Sequence, residues 1–139
     1  MTTKYILILL ASAMFSLTAF AGYSQPAPLI IEVNDDGSGF AGGDVTTARN
    51  SENEFAFIGC GIRSFEGGYE FGFCQAGNEA ELSYTCFTED PTLLDTINAV
   101  SDFAYMSFSW TDDGEGNLTC FRVGSSTQSF YLEEGKKVK

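Results

Sequence analysis

Residues 90–110 read DPTLLDTINAVSDFAYMSFSW, and the period of this stretch changes halfway. Asp90-Pro91 is a helix start: an aspartate side chain accepts from the free N–H groups of the first turn, and proline fits the first helical position, where no N–H is needed. Leu93, Leu94, Ile97 and Val100 then recur at helical spacing, which predicts one amphipathic helix over residues 91–101. From Phe103 the period becomes two. Ala104, Met106, Phe108 and Trp110 alternate with Phe103, Tyr105, Ser107 and Ser109, as in a strand whose faces differ. Aromatic residues stand on both faces near the start of this strand. A sheet with one face under the helix therefore leaves a second aromatic face, edged by Ser107, Ser109, Ser126, Thr127 and Ser129, for a partner or ligand.

Outward from this stretch the chain reads as strands and turns. Upstream, residues 55–62 and 69–74 form a hairpin around Gly67-Gly68, and residues 81–87 form a third strand. Downstream, Thr111 to Asn117 is a turn, Leu118 to Val123 a returning strand, and Gln128 to Leu132 a last strand. Strands on both sides of a single helix predict an α+β domain: an antiparallel sheet of five to seven strands with the helix packed on it. Residues 22–48 read as a tether, a strand over Leu29–Val33 and a long Gly/Asx-rich loop over residues 34–44; residues 49–133 form the domain, and residues 134–139 a charged tail.

Residues 1–21 carry the marks of a secretory signal peptide. Lys4 precedes an apolar run from Tyr5, and Ala19-Phe20-Ala21 supplies the small-x-small cleavage pattern. No later stretch is apolar enough to span a bilayer. The full chain of 139 residues has a net charge of −12, and loss of Lys4 makes the mature chain one unit more negative. Such a surface repels nucleic acid and anionic lipid and attracts basic proteins.

All four cysteines, Cys60, Cys74, Cys86 and Cys120, lie in the mature part. An even number bound for an oxidising space predicts two disulfides. Cys60 and Cys74 flank Gly67-Gly68 almost symmetrically, which favours that pair across a hairpin and leaves Cys86 for Cys120. The other two connectivities stay open on sequence alone. Zinc is disfavoured, because no close C-x-x-C pair occurs and the chain has no histidine.

Chemistry-bearing motifs are few. Gly37, Gly39 and Gly42 spell G-x-G-x-x-G, but no apolar helix opens at those glycines and Asp35-Asp36 would repel phosphate, so the stretch reads as a flexible loop. Asn34, Asp35, Asp36, Ser38 and Asp44 crowd one loop, and Asp112, Asp113, Glu115 and Asn117 another. These are the hard oxygen ligands Ca²⁺ prefers, although neither loop fits the EF-hand pattern and Asx residues are ordinary turn formers. The missing histidine removes the usual base for a serine or cysteine nucleophile. A carboxylate pair as in glycosidases, drawn from Glu66, Glu70, Glu89, Asp90 and Asp102, is the main catalytic route left, although no spacing selects two of them.

Several segments together resemble a group of small exported, disulfide-containing proteins of Gram-negative bacteria. They are Arg49-Asn50, Ile58-Gly59-Cys60, Gly72-Phe73-Cys74-Gln75-Ala76, Cys86 with Asp90-Pro91, Ser101-Asp102-Phe103, Phe108-Ser109-Trp110 and Ser126-Thr127-Gln128-Ser129-Phe130-Tyr131. The resemblance spans most of residues 49–131. It implies export to the periplasm or outside the cell and no particular activity.

The reading that combines charge, aromatics and export is a non-enzymatic binding protein, an inhibitor or neutraliser of a basic protein partner. Tyr69, Phe71, Tyr105 and Trp110 are the candidate anchors, and electrostatic steering would speed the encounter. The alternatives are a carboxylate-dependent hydrolase of envelope polymer and a structural envelope component. No cofactor is expected, calcium being the only metal ion with candidate ligands, and neither nucleic-acid binding nor stable membrane insertion after signal cleavage is expected.

Overall fold

The computed structural model describes residues 23–80 and 82–132. The expected signal peptide over residues 1–21, Glu81 in the expected third strand and the expected charged tail over residues 134–139 lie outside the described residues. In chain order the elements are β1 (Ile30–Val33), β2 (Gly39–Asp44), α1 (Val45–Arg49), β3 (Phe57–Ser64), β4 (Glu70–Glu79), β5 (Leu82–Thr88), α2 (Pro91–Asn98), β6 (Ala104–Asp112) and β7 (Leu118–Thr127), with a 3₁₀ turn at Ser129–Tyr131. The seven strands form one sheet in the order β1-β2-β6-β7-β5-β4-β3. Every neighbouring pair is antiparallel except β5 and β7, which run parallel over Cys86↔Leu118 and Phe87↔Thr119. The expected α+β class and strand number are found. Among the described residues no helix is long and apolar enough to cross a membrane.

Helix α2 starts as its sequence dictates. Asp90 accepts hydrogen bonds from the backbone N–H groups of Thr92 (2.8 Å) and Leu93 (3.1 Å), with Pro91 at the first turn. It ends at Asn98, short of residue 101, because the N–H of Val100 turns back to the Ile97 carbonyl; Val100 still packs against the core. Leu94 and Ile97 are buried and meet the sheet at Gly72. A Cβ there would stand 2.7 Å from the Ile97 Cδ1 atom and 2.9 Å from the Leu94 Cδ2 atom, so the helix sits where β4 has no side chain.

The stretch expected to be a loop is where the sequence reading fails most. Only residues 34–38 turn; residues 39–44 are β2, inserted between β1 and β6 and almost wholly buried. The glycines serve close approach here. A Cβ on Gly39 would collide with the Trp110 indole, and one on Gly42 would stand 2.7 Å from both the Phe40 ring and the Tyr105 hydroxyl. The large residues of β6 fill the space that small residues of β2 leave, with Ala41 opposite Phe108 and Gly43 opposite Met106. Two further expectations change. A second, short helix, α1, follows β2, capped by Asp44, and residues 129–131 form the 3₁₀ turn instead of a last strand.

The core lies on one continuous face of this sheet: Met106, Phe108 and Trp110 from β6, Cys120 and Val123 from β7, Cys86 from β5, Cys74 and Ala76 from β4, and Ile58 from β3. Tyr84 stacks on Trp110 with ring centroids 5.1 Å apart. The sheet coils far enough for β2 to reach β3 and for β1 to reach β4, although neither pair is adjacent in strand order. Both disulfides form as the hairpin argument favours: Cys60–Cys74 with Cα atoms 4.0 Å apart, and Cys86–Cys120 at 5.0 Å.

Candidate binding face

The inward cysteines fix what points outward. Successive side chains of a strand alternate between faces, so with Cys60, Cys74 and Cys86 directed into the core, the odd-numbered residues beside them occupy the opposite face. Phe57, Phe71, Phe73 and Phe87 all have that parity. Phe57, Phe71 and Phe73 align with Gly77, Arg63 and Gly61 across the β3–β4 ladder, and Phe87 aligns with Phe73 across β4–β5. The meander β3–β4–β5 therefore carries aromatic rings on the face opposite α2; Phe57, at the start of β3, shares a cleft with α1, and the rings of β4 and β5 have no described helix over them.

At one end of this face the rings gather. Gly67 and Gly68 adopt φ values of 99° and 88°, which glycine alone adopts readily, and the Phe65 N–H donates to the Tyr69 carbonyl at 2.8 Å. That turn brings Phe65 and Tyr69 together (5.8 Å between centroids, 28° between planes), and both reach Phe71, at 6.0 and 6.1 Å. Phe71 in turn meets Phe87 edge to face, at 6.0 Å and 61°. Phe65, Tyr69 and Phe87 are half exposed, at 53%, 53% and 50%. Between Tyr69, Phe71 and Phe87 lies a groove of about 410 Å³, completed by Thr88, Glu89 and Thr119.

Glu89 is the acid of this groove. Its Oε1 accepts a hydrogen bond from the Tyr69 hydroxyl at 3.0 Å, and that bond raises the phenol pKa above its ordinary 10.0 by favouring the protonated form. Further along the face the Arg63 guanidinium lies over the Phe73 ring, 4.7 Å from its centroid, while the ring itself lies across Gly61.

Of the four anchors expected from sequence, the structure brings two together. Tyr69 and Phe71 belong to the ring cluster. Trp110 does not: it is 0% exposed, stacked on Tyr84, and its Nε1–H donates to the Gly37 carbonyl at 3.0 Å, so it is core and cannot be a contact residue in the folded protein. Tyr105 is half-buried in the other half of the sheet, stacked on Tyr131 at 5.7 Å. The expected aromatic face on β6 is likewise covered. Of its expected hydroxyl margin, Ser107 and Ser109 are buried, because Phe40 and Tyr105 converge over Gly42 on that side, whereas Ser126 is partly buried and Thr127 and Ser129 are exposed. Phe65, Phe87, Glu89 and Thr119 were missed as neighbours of Tyr69. Parity against Cys86 was the signal that would have placed Phe87 outward.

Most of the acids considered for catalysis or calcium have local structural roles. Glu70 accepts from the Ser64 hydroxyl, Glu89 from Tyr69, and Asp90 caps α2, while Glu66 and Asp102 stand exposed. Asp44 is buried, and its carboxylate accepts from the N–H groups of Ala27 and Thr47, both at 2.6 Å. Asp36 is held below the usual carboxylate range by the Ser38 hydroxyl and N–H, and Asp113 by the Asn117 side chain and the N–H groups of Glu115 and Asn117. Asp112 accepts from the N–H groups of Gly114 and Gly116. These are the turn-forming bonds of Asx residues. Among the described residues no three Asp, Glu or Cys side chains converge on a metal-sized site.

Comparison with protein-family models, curated proteins and solved structures finds no significant match to this chain.

Proposed function

We propose that this is an exported, non-enzymatic binding protein that holds a basic protein against the β3–β4–β5 face, acting as its inhibitor or neutraliser in the periplasm or outside the cell. The observation that carries the reading is the group Phe65, Tyr69, Phe71 and Phe87: four contiguous rings, three of them half exposed, on a part of the sheet face that neither described helix covers. Exposed contiguous aromatics on a small domain mark an interaction site more often than they occur idly, and aromatic anchors dominate the energetics of such contacts. The net charge of −12 selects the sign of the partner.

Titration calorimetry of the exported protein against a panel of small cationic hydrolases, with acidic proteins of similar size as controls, tests this. Binding confined to cationic members, weakened as salt rises through physiological ionic strength and weakened by Phe71→Ala, supports it. Binding indifferent to both salt and Phe71→Ala refutes it.

A further inference from the structure

We infer that the groove beside Tyr69 is a lysine socket, receiving the ammonium head of a lysine side chain of the basic partner between Tyr69, Phe71 and Phe87, with Glu89 as its counter-charge. This deepens the reading above and rests on it. The groove differs from a general apolar patch in having one acid at its wall and rings set at different angles. Tyr69 is tilted 42° from Phe71, and Phe71 meets Phe87 at 61°, so the three rings flank the space instead of forming a flat platform. Each ring face carries negative partial charge, and a cation enclosed by several is attracted to all of them.

The geometry also selects among cations. Glu89 has one carboxylate oxygen already oriented by the Tyr69 hydroxyl, so Oε2 is the oxygen most open to a second donor and a parallel two-oxygen contact has to share Oε1 with the phenol. A guanidinium is matched best by two parallel carboxylate oxygens or by a ring stacked flat beneath it; an ammonium is a compact point charge that a single oxygen and inclined rings satisfy. The same sheet face offers its own contrast. Arg63, a guanidinium, lies over the single ring of Phe73, where a flat partner is available. Thr88 and Thr119 complete the wall without adding positive charge. The alkyl stem of a lysine would lie along Phe87, covering a ring that is otherwise half exposed.

The test titrates the exported protein with three blocked amino acids, the N-acetyl methylamides of lysine, arginine and norleucine, following aromatic-ring proton shifts by NMR. The lysine derivative should shift the rings of Tyr69, Phe71 and Phe87 saturably, with a Kd on the order of millimolar. Norleucine, equal in stem but uncharged, should not, and arginine should bind about threefold or more weakly than lysine. Glu89→Gln, which keeps a hydrogen-bonding side chain at an exposed position, should weaken lysine binding about fivefold; Phe87→Ala should weaken it at least as much, and Phe103→Ala, distant in the chain from the groove, should leave it unchanged. Equal binding of lysine and norleucine, preference for arginine, or indifference to Glu89→Gln would overturn the socket. A cationic protein that binds the wild type, Glu89→Gln and Phe87→Ala equally, with the usual salt sensitivity, overturns the socket while sparing the broader proposal. Saturable lysine binding with no cationic protein retained has the opposite meaning.

Discussion

The two halves of the sheet are built from similar side chains and end differently. The β1-β2-β6-β7 half holds Phe40, Tyr105, Phe108, Trp110 and Phe121 and buries both faces of its central strand, even the serines at 107 and 109, with Phe121 on β7 left as a single exposed ring instead of a cluster. The β3–β4–β5 half holds Phe57, Phe71, Phe73 and Phe87 and buries only the face that carries the cysteines. What separates them is covering chain. The first half has the segment before β1, which exchanges hydrogen bonds with Asp44, and the 3₁₀ turn, whose Tyr131 stacks on Tyr105. The second half has no such cover among the described residues. Aromatic content thus says little about which rings are core; the local supply of covering backbone decides.

The contrast is sharpest at single rings. Trp110→Ala should lower the unfolding free energy by about 3–5 kcal/mol, because it empties a fully buried site, whereas Phe87→Ala should cost about 1 kcal/mol or less. Denaturant unfolding of both variants measures the difference, and equal costs would erase the distinction between the halves. Next in size are the disulfides. Cys86–Cys120 ties one half to the other across a sequence separation of 34, and its removal as a double alanine variant should cost about 3–4 kcal/mol. Removing Cys60–Cys74, separated by 14 and internal to the meander, should cost about 3 kcal/mol. Calorimetric unfolding of the first variant should also broaden or split if the halves hold together mainly through that link.

Glycines give a smaller effect of the same kind. Gly39→Ala forces a methyl into the Trp110 indole and should cost about 1–3 kcal/mol, while Gly59→Ala, with nothing within 4 Å of its added Cβ, should change stability by no more than about 0.5 kcal/mol. Denaturation midpoints resolve the two. Least in energy is the Tyr69 phenol. Its pKa is raised by Glu89, so the stabilisation that this bond contributes is complete below the ordinary tyrosine value and fades as pH climbs through the raised one. In a spectrophotometric titration Tyr69 should ionise later than a free tyrosine, and Glu89→Gln should bring it back.

Much of this fold was legible. The helix start at Asp90-Pro91, the period-two run of β6, the hairpin around Gly67-Gly68 and the cysteine pairing all express local chemistry, which residues and their spacing carry on their own. The failures share a different cause. Gly39, Gly42 and Gly43 looked like loop because glycine usually punctuates; that they pair with β6 is a fact about a strand more than 60 residues away. Trp110 looked like an anchor for the same reason, since nothing nearby in sequence announces that Tyr84 and the Gly37 carbonyl will enclose it. For the candidate site, Tyr69 and Phe71 could be named from sequence, but the groove could not, because it needs Glu89 and Thr119 brought alongside by β5 and β7.

The register of the cysteines bears on how the chain acquires its cross-links. Cys74 is aligned with Cys60 on one neighbouring strand and with Cys86 on the other, so as the thiols oxidise it can be captured from either side. Capture by Cys86 would leave Cys60 and Cys120 three ladder spacings apart, roughly 14 Å along the sheet and beyond bonding reach. The isomer is repairable, since a Cys60 thiolate lies beside the wrong bond and can attack Cys74 to release Cys86. Pairing of β7 with β5 sets Cys120 beside that freed sulfur, and a second two-electron oxidation of these two thiols closes Cys86–Cys120 and removes the thiolate that could reverse the exchange.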